Sequence, residues 1–180
     1  MAGCLYHLTY VLAYTGMRVS EALNADYDMD AQVIHIGGAK TVAGNRSIPI
    51  HSELTSGGTH GSTDGDPMGP VGTSGVAHRT KRNHIEALKD YQQSLVVNPQ
   101  SLASAFSRYV KGPLGLSRAY SLHSIRHSVN TKLVEAGMPY HLLQRFMGHK
   151  SNDTTMRVYA KFIKADAMRE HLVGLRWDLL

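Results

Sequence analysis

Residues 14–23 read "YTGMRVSEAL", and this stretch decides how the rest of the chain is interpreted. The Thr-Gly pair ends the helical pattern before it, and Ser20 and Glu21 open the next apolar repeat. Arg18 therefore stands at the start of a helix, directly behind a glycine turn. Such an arginine is either an ordinary solvated charge or a fixed cation that binds an anion. This stretch alone leaves both interpretations open.

The sequence on either side of this stretch predicts a helix and a small sheet. Leucines at helical spacing in residues 5–14 predict a helix that ends at the Thr-Gly pair. The acidic run "DYDMD" (26–30) predicts a turn, and "QVIHI" (32–36) predicts a strand. "GGAKTV" (37–42) and "RSIPI" (46–50) predict two further extended runs around the turn "AGN". We therefore expect a three-stranded antiparallel sheet at about residues 31–50.

From residue 81 onward the pattern is helical. The predicted helices cover residues 81–95, 99–112, 121–137, 139–148 and 151–172. In the third of these, Leu122, Ile125, Val129 and Leu133 form a narrow buried stripe, which His123 and Arg126 flank. The predicted fold class is α+β and mainly helical, with helices packed around the small sheet near the N-terminus. We expect a single domain over residues 1–180.

One segment interrupts this pattern. Residues 55–80 contain seven glycines and almost no large apolar side chains. Such a composition cannot repay its ordering entropy, so we expect a flexible Gly/Ser/Thr-rich loop or insertion, tolerated rather than functional.

Composition limits the classes of protein to consider. With 180 residues, 42% of them hydrophobic, the chain can bury a core. Residues 1–100 carry 7 Lys/Arg against 9 Asp/Glu, whereas residues 101–180 carry 12 against 5. The basic half favours a polyanionic partner over the alternative of a solvated basic face. The sequence has one cysteine, Cys4, and shows neither a secretory leader pattern nor an apolar run of membrane length. These features predict a cytoplasmic protein without membrane association.

Four motifs in order resemble the catalytic domain of the tyrosine recombinases, the phage integrase family. They are "TGMRVSEAL" (15–23), "AKTVAGNRSIPI" (39–50), "HSIRHSVNTKLVEAG" (123–137) and "LLQRFMGHKSNDTTMRVYAKF" (142–162). Taken singly, each polar residue in them has an ordinary structural explanation. The order and spacing of the whole set carry the resemblance, which runs from about residue 5 to residue 163.

The resemblance assigns six active-site positions: Arg18, Lys40, His123, Arg126, His149 and Tyr159. It implies that the Tyr159 phenol attacks a DNA phosphodiester and becomes joined to the 3′-phosphate. The two arginines would clamp the nonbridging oxygens bidentately, and Lys40 would protonate the departing 5′-oxygen. His123 would take or share the phenolic proton, and His149 would donate a hydrogen bond to the phosphate.

The same resemblance implies a reaction without a metal or nucleotide cofactor. The sequence contains no H-E-x-x-H motif and no phosphate-binding P-loop. We expect Ser20 and Glu21 to be structural and to fix the turn, and His127 to support the site indirectly.

The sequence departs from the family pattern at several places. Most members carry a separate helical DNA-clamping domain before the catalytic one, and because the first arginine is residue 18 we expect that domain to be absent. Ser124 stands where aspartate is common, and Met147 stands where leucine is common. The glycine-rich segment replaces an uninterrupted helix.

Two functions of different classes follow. The first is site-specific recombination, meaning integration, excision or resolution of mobile DNA, or else simple nicking and resealing. The second is a noncatalytic DNA-binding relic. For an active enzyme the resemblance implies a homotetramer on two DNA duplexes, a monomer in solution and a place at the nucleoid. The tail "DAMREHLVGLRWDLL" (166–180) either joins a neighbouring protomer or folds back on its own core, and the sequence leaves this open.

Overall fold

A computed structural model describes residues 2–38, 44–56, 83–94, 98–117, 120–149 and 163–177. In these ranges the helices are α1 (Ala2–Thr15), α2 (Val19–Asn24), α3 (Ser52–Thr55), α4 (His84–Ser94), α5 (Pro99–Lys111), α6 (Leu122–Glu135), α7 (Tyr140–Met147) and α8 (Asp166–Leu172). The strands are β1 (Asp26–Asp28), β2 (Val33–Ile36) and β3 (Arg46–Pro49). The predicted glycine-rich segment lies outside the described residues except for its first two residues: Thr55 ends α3 and Ser56 is the C-cap of that helix.

The strands form an antiparallel sheet in the order β1-β2-β3. The predicted class, mainly helical with a three-stranded antiparallel sheet, is confirmed. The expected acidic turn at 26–30 was wrong, because residues 26–28 form the first strand of the sheet. Tyr27 is buried there, and its hydroxyl donates to the Ala22 carbonyl at 2.8 Å. Burial of this aromatic side chain stabilises the strand although the residues on either side are acidic. Of the predicted run 37–42, residues 39–42 lie outside the described residues.

Helix α1 forms the centre of the core and packs against α4 and α6. Leu5, Leu8 and Leu12 are buried, as their helical spacing predicts, and Val11 is fully buried beside them. The helix ends where expected. Gly16 adopts a φ of +60°, and a Cβ there would lie 3.0 Å from the Met147 sulfur. The glycine thus allows both the left-handed turn and the close approach of α7.

Helix α6 differs from its predicted pattern at one position. The buried face consists of Leu122, Arg126, Val129 and Leu133, while Ile125 is only partly buried. The expectation that Arg126 flanks the apolar stripe was therefore wrong, because Arg126 lies within it. A guanidinium tolerates this place because backbone carbonyls accept its hydrogen bonds.

The C-terminal segment folds back on the core of its own chain. Leu172 and Leu175 are buried, and the Trp177 indole donates to the Ala13 carbonyl at 2.9 Å. At the C-terminal end of α8, His51 accepts a hydrogen bond from the Glu53 amide through Nδ1, so its Nε2 carries the proton that is donated to the Leu172 carbonyl. Of the two arrangements that the sequence left open for the tail, residues 166–177 adopt the one within the chain. Among the helices in the described ranges, none is long and apolar enough to span a bilayer.

Candidate active site

The α1–α2 turn places Arg18 at the start of α2. The Arg18 amide donates to Glu21 Oε2 at 2.9 Å, and its guanidinium Nη1 lies 2.6 Å from Glu21 Oε1. This is the N3-to-N-cap half of a capping box, so Glu21 fixes the turn as the sequence predicts. The Arg18 side chain is 48% exposed, whereas that of Glu21 is 10% exposed. The arginine is therefore held at its base and open to solvent at its end.

Glu21 is shared by three arginines. Arg46 donates to both of its oxygens, with Nη2–Oε2 at 3.0 Å and Nη1–Oε1 at 3.3 Å, and Arg126 Nη1 lies 3.9 Å from Oε2. Burial alone would raise the pKa of Glu21, but the hydrogen bonds and charges of Arg46 and Arg18 lower it to about 2. Three guanidiniums around one carboxylate leave an excess of two positive charges, which favours binding of an anion.

Arg126 joins the first motif to the last. Its guanidinium donates through Nη1 to the Gly16 carbonyl at 2.6 Å and through Nη2 to the Met147 carbonyl. Burial, followed by repulsion from Arg18, lowers the pKa of Arg126 to about 10, so the group stays charged at neutral pH. These bonds fix the guanidinium between the end of α1 and the end of α7.

His149 follows a glycine turn at the end of α7. Gly148 has a φ of +67°, its amide donates to the Arg145 carbonyl, and the His149 amide donates to the Gln144 carbonyl at 2.9 Å. Together these form a Schellman motif, which requires the left-handed residue that glycine supplies. Burial, then the charges of Arg126 and Arg18, lower the pKa of His149, so its imidazole is neutral at pH 7.

The start of α6 carries His123. Ser121 Oγ accepts from the Ser124 amide and Ser124 Oγ accepts from the Ser121 amide, so a reciprocal capping box begins the helix. Ser124 therefore performs this capping role at the position where aspartate is common. The exposed His123 ring meets the His127 ring edge-on, with 4.8 Å between centroids.

The structure thus brings Arg18, Arg126 and His149 within electrostatic reach of one another, and places His123 one helical turn before Arg126. Lys40 and Tyr159 lie outside the described residues, and their roles stay predictions. No group of three potential metal-ligating side chains occurs in the described part of the chain.

Sequence reasoning missed Arg46. This residue is 3% exposed, and its guanidinium also donates to the Phe146 and Gly44 carbonyls, at 2.7 and 3.1 Å. A signal for it exists in the strand pattern. Alternation along "RSIP" puts Arg46 on the same face as the core residue Ile48, and an arginine on a core face requires buried partners.

The fold is mainly helical with a small antiparallel sheet, and it brings three arginines together around the carboxylate of Glu21. The model of the phage integrase family matches residues 4–165. The chain therefore belongs to the phage integrase family, and the family prediction from the four motifs is confirmed.

Similar proteins include several named recombinases. Tyrosine recombinase XerC of Chlamydia caviae is 27% identical over 161 residues, which is 84% of this chain and 44% of that protein. Tyrosine recombinase XerD of Corynebacterium glutamicum is 32% identical over 58% of this chain and 36% of its own length. Transposase B from transposon PsiTn554 of Staphylococcus aureus is 36% identical over 42% of this chain and 13% of its own length. The chain thus spans less than half the length of each of these relatives. No solved structure gives a significant match.

Proposed function

We propose that this chain is the catalytic part of a tyrosine-type site-specific DNA recombinase. The observation that carries the proposal is the cluster in which Arg18, Arg46 and Arg126 share the single carboxylate of Glu21 beside the neutral His149. Such a cluster suits a phosphodiester, whose transition state gathers negative charge on its nonbridging oxygens. Membership of the phage integrase family and the likeness to XerC and XerD support the same reaction class.

In the proposed step, the Tyr159 phenolic oxygen forms a bond to phosphorus while the bond from phosphorus to the 5′-oxygen breaks. The phenolic proton passes to His123, and Lys40 gives a proton to the leaving 5′-oxygen. Arg18 and Arg126 bind the nonbridging oxygens, and the neutral His149 donates one more hydrogen bond. The 3′-phosphotyrosyl bond keeps the energy needed to rejoin the strand, and the reaction requires no metal.

Covalent trapping tests this proposal. Supercoiled plasmid and protein are incubated in EDTA at low salt, the reaction is stopped with SDS, and Tyr159→Phe serves as the matched control. We expect a DNA adduct or plasmid relaxation with the native chain and neither with the variant. An adduct that persists in Tyr159→Phe would contradict the assigned nucleophile.

The alternative is a noncatalytic DNA-binding relic. DNA binding without any adduct, also when a DNA-clamping domain is supplied in cis, would favour this alternative. Relaxation without recombination between two sites would instead indicate simple nicking and resealing.

We further propose a monomer in solution that assembles as a homotetramer on two DNA duplexes at the nucleoid. Light scattering of the protein with and without paired sites tests the assembly. DNA binding by residues 1–180 alone is expected to be weak and to fall steeply with salt, by about one unit of the log–log slope per phosphate contacted. A nanomolar complex at physiological salt would contradict this expectation.

A further inference from the structure

We propose that Arg46 is a positioning residue that sets the geometry of both Arg18 and His149. The inference rests on the proposed function. The family motifs assign no role to this arginine, and its side chain is enclosed, with 0% exposure, so it cannot itself touch DNA.

Arg46 reaches Arg18 through the shared carboxylate. Its two Nη atoms hold both oxygens of Glu21, and those same oxygens hold the Arg18 amide and the Arg18 guanidinium. The carboxylate therefore has one orientation in which all four bonds form. Loss of the planar Arg46 fork would free Glu21 to rotate, and the exposed Arg18 side chain would lose its fixed position.

Arg46 reaches His149 through the end of α7. Its Nε donates to the Phe146 carbonyl, and Arg145 donates in return from Nη1 to the Asn45 carbonyl at 3.1 Å. These two arginines therefore join residues 45–46 to residues 145–146 in both directions.

The Gly148 turn also lies directly on Arg46. A Cβ at Gly148 would stand 2.5 Å from Arg46 Nη1, so the guanidinium supports the turn that carries His149. One buried side chain thus connects the α1–α2 turn to the α7 turn.

The test compares Arg46→Lys with Arg169→Lys. Lysine keeps the charge, but one ammonium cannot reach Glu21, Phe146 and Gly44 together. Arg169 is a matched control because it makes the same kinds of bonds elsewhere, to the Asp166 carboxylate and to the carbonyls of residues 31 and 32. For each protein we would measure the free energy of unfolding, the DNA dissociation constant and the rate constant of Tyr159–DNA adduct formation at saturating DNA.

We expect Arg46→Lys to slow adduct formation about tenfold or more, with a much smaller change in DNA affinity, since misplaced groups affect the reacting geometry first. In Arg169→Lys both quantities should stay within about twofold of the native values, as for a change outside the site. A second readout follows the His149 imidazole by NMR titration. Its lowered pKa should move toward the ordinary histidine value in Arg46→Lys, because the loosened turn no longer holds the ring beside the charges of Arg126 and Arg18, and it should stay unchanged in Arg169→Lys.

Equal behaviour of the two variants, or a His149 titration unchanged by Arg46→Lys, would overturn the inference. If the native chain forms no Tyr159-dependent adduct, also with a DNA-clamping domain supplied in cis, the proposed function fails, and the His149 titration still decides the role of Arg46. If Arg46→Lys does not fold, Gly148→Ala displaces the same guanidinium from the opposite side. Gly137→Ala, which also follows a helix at positive φ but faces open space, is its control.

Discussion

Replacement of Glu21 by glutamine should destabilise the protein and flatten the dependence of its stability on pH. Glutamine keeps the shape of the side chain and resembles the protonated acid. The change removes the negative charge that Arg18, Arg46 and Arg126 share, so three guanidiniums would stand together without a counter-charge.

The size of the effect follows from the pKa of Glu21. Folding lowers this pKa from 4.5 to about 2, which corresponds to about 3 kcal/mol of stabilisation when the carboxylate is ionised in both states. Because the folded pKa is the lower one, the stabilisation is fully present above the unfolded pKa and declines as the pH falls toward the folded value. About 2 kcal/mol of it should be lost by pH 3.

Urea unfolding followed by circular dichroism at pH 7, 5 and 3 measures this directly. We expect Glu21→Gln to be less stable than the native chain by about 3 kcal/mol at pH 7, with the gap narrowing to about 1 kcal/mol at pH 3. Asp166→Asn is the control. This carboxylate also pairs with an arginine but is 75% exposed, so its loss should cost at most about 1 kcal/mol. The reasoning would be refuted if Glu21→Gln and the native chain had the same free energy of unfolding, or if the difference between them did not change with pH.

Three further predictions concern other parts of the structure. Gly16→Ala should lower the melting temperature more than Gly115→Ala does. Both glycines have a φ near +60°, but only a Cβ at Gly16 would meet neighbouring side chains. Equal decreases in melting temperature would contradict the close packing of the Gly16 turn. DNA affinity should rise as the pH falls from 8 toward 6. Burial and nearby arginines lower the pKa of His149 in the free protein, and a bound phosphate favours its protonated form. Fluorescence anisotropy across this pH range measures the affinity, and His149→Gln should weaken its dependence on pH. Trp177→Phe should cost about 1 kcal/mol of unfolding free energy, because the partly buried hydrogen bond from the indole to α1 is lost. Urea unfolding measures this cost, and equal stability of the two proteins would contradict docking of the tail on its own chain.

The fold class and the family could be predicted because their signals are local. Leucines spaced along α1, the glycine turn before Arg18 and the Ser-capped start of α6 each depend on neighbours within a few residues. The strand at 26–28 was missed for the same reason. Its residues look like an acidic turn, and only burial of Tyr27 against α2 pulls them into the sheet.

The chain's sequence by itself determined which residues the motifs supply, including Arg18, His123, Arg126 and His149, and what chemistry those residue types permit. Only the tertiary structure decided how they are held. The guanidiniums of Arg126 and Arg46 each donate to carbonyls that lie about 20 to 110 residues away along the chain. The periodic pattern of a helix or strand cannot predict partners at such a distance. A buried guanidinium is stable only where several distant backbone and carboxylate oxygens converge on it, and that convergence exists only once α1, β3, α6 and α7 have packed together.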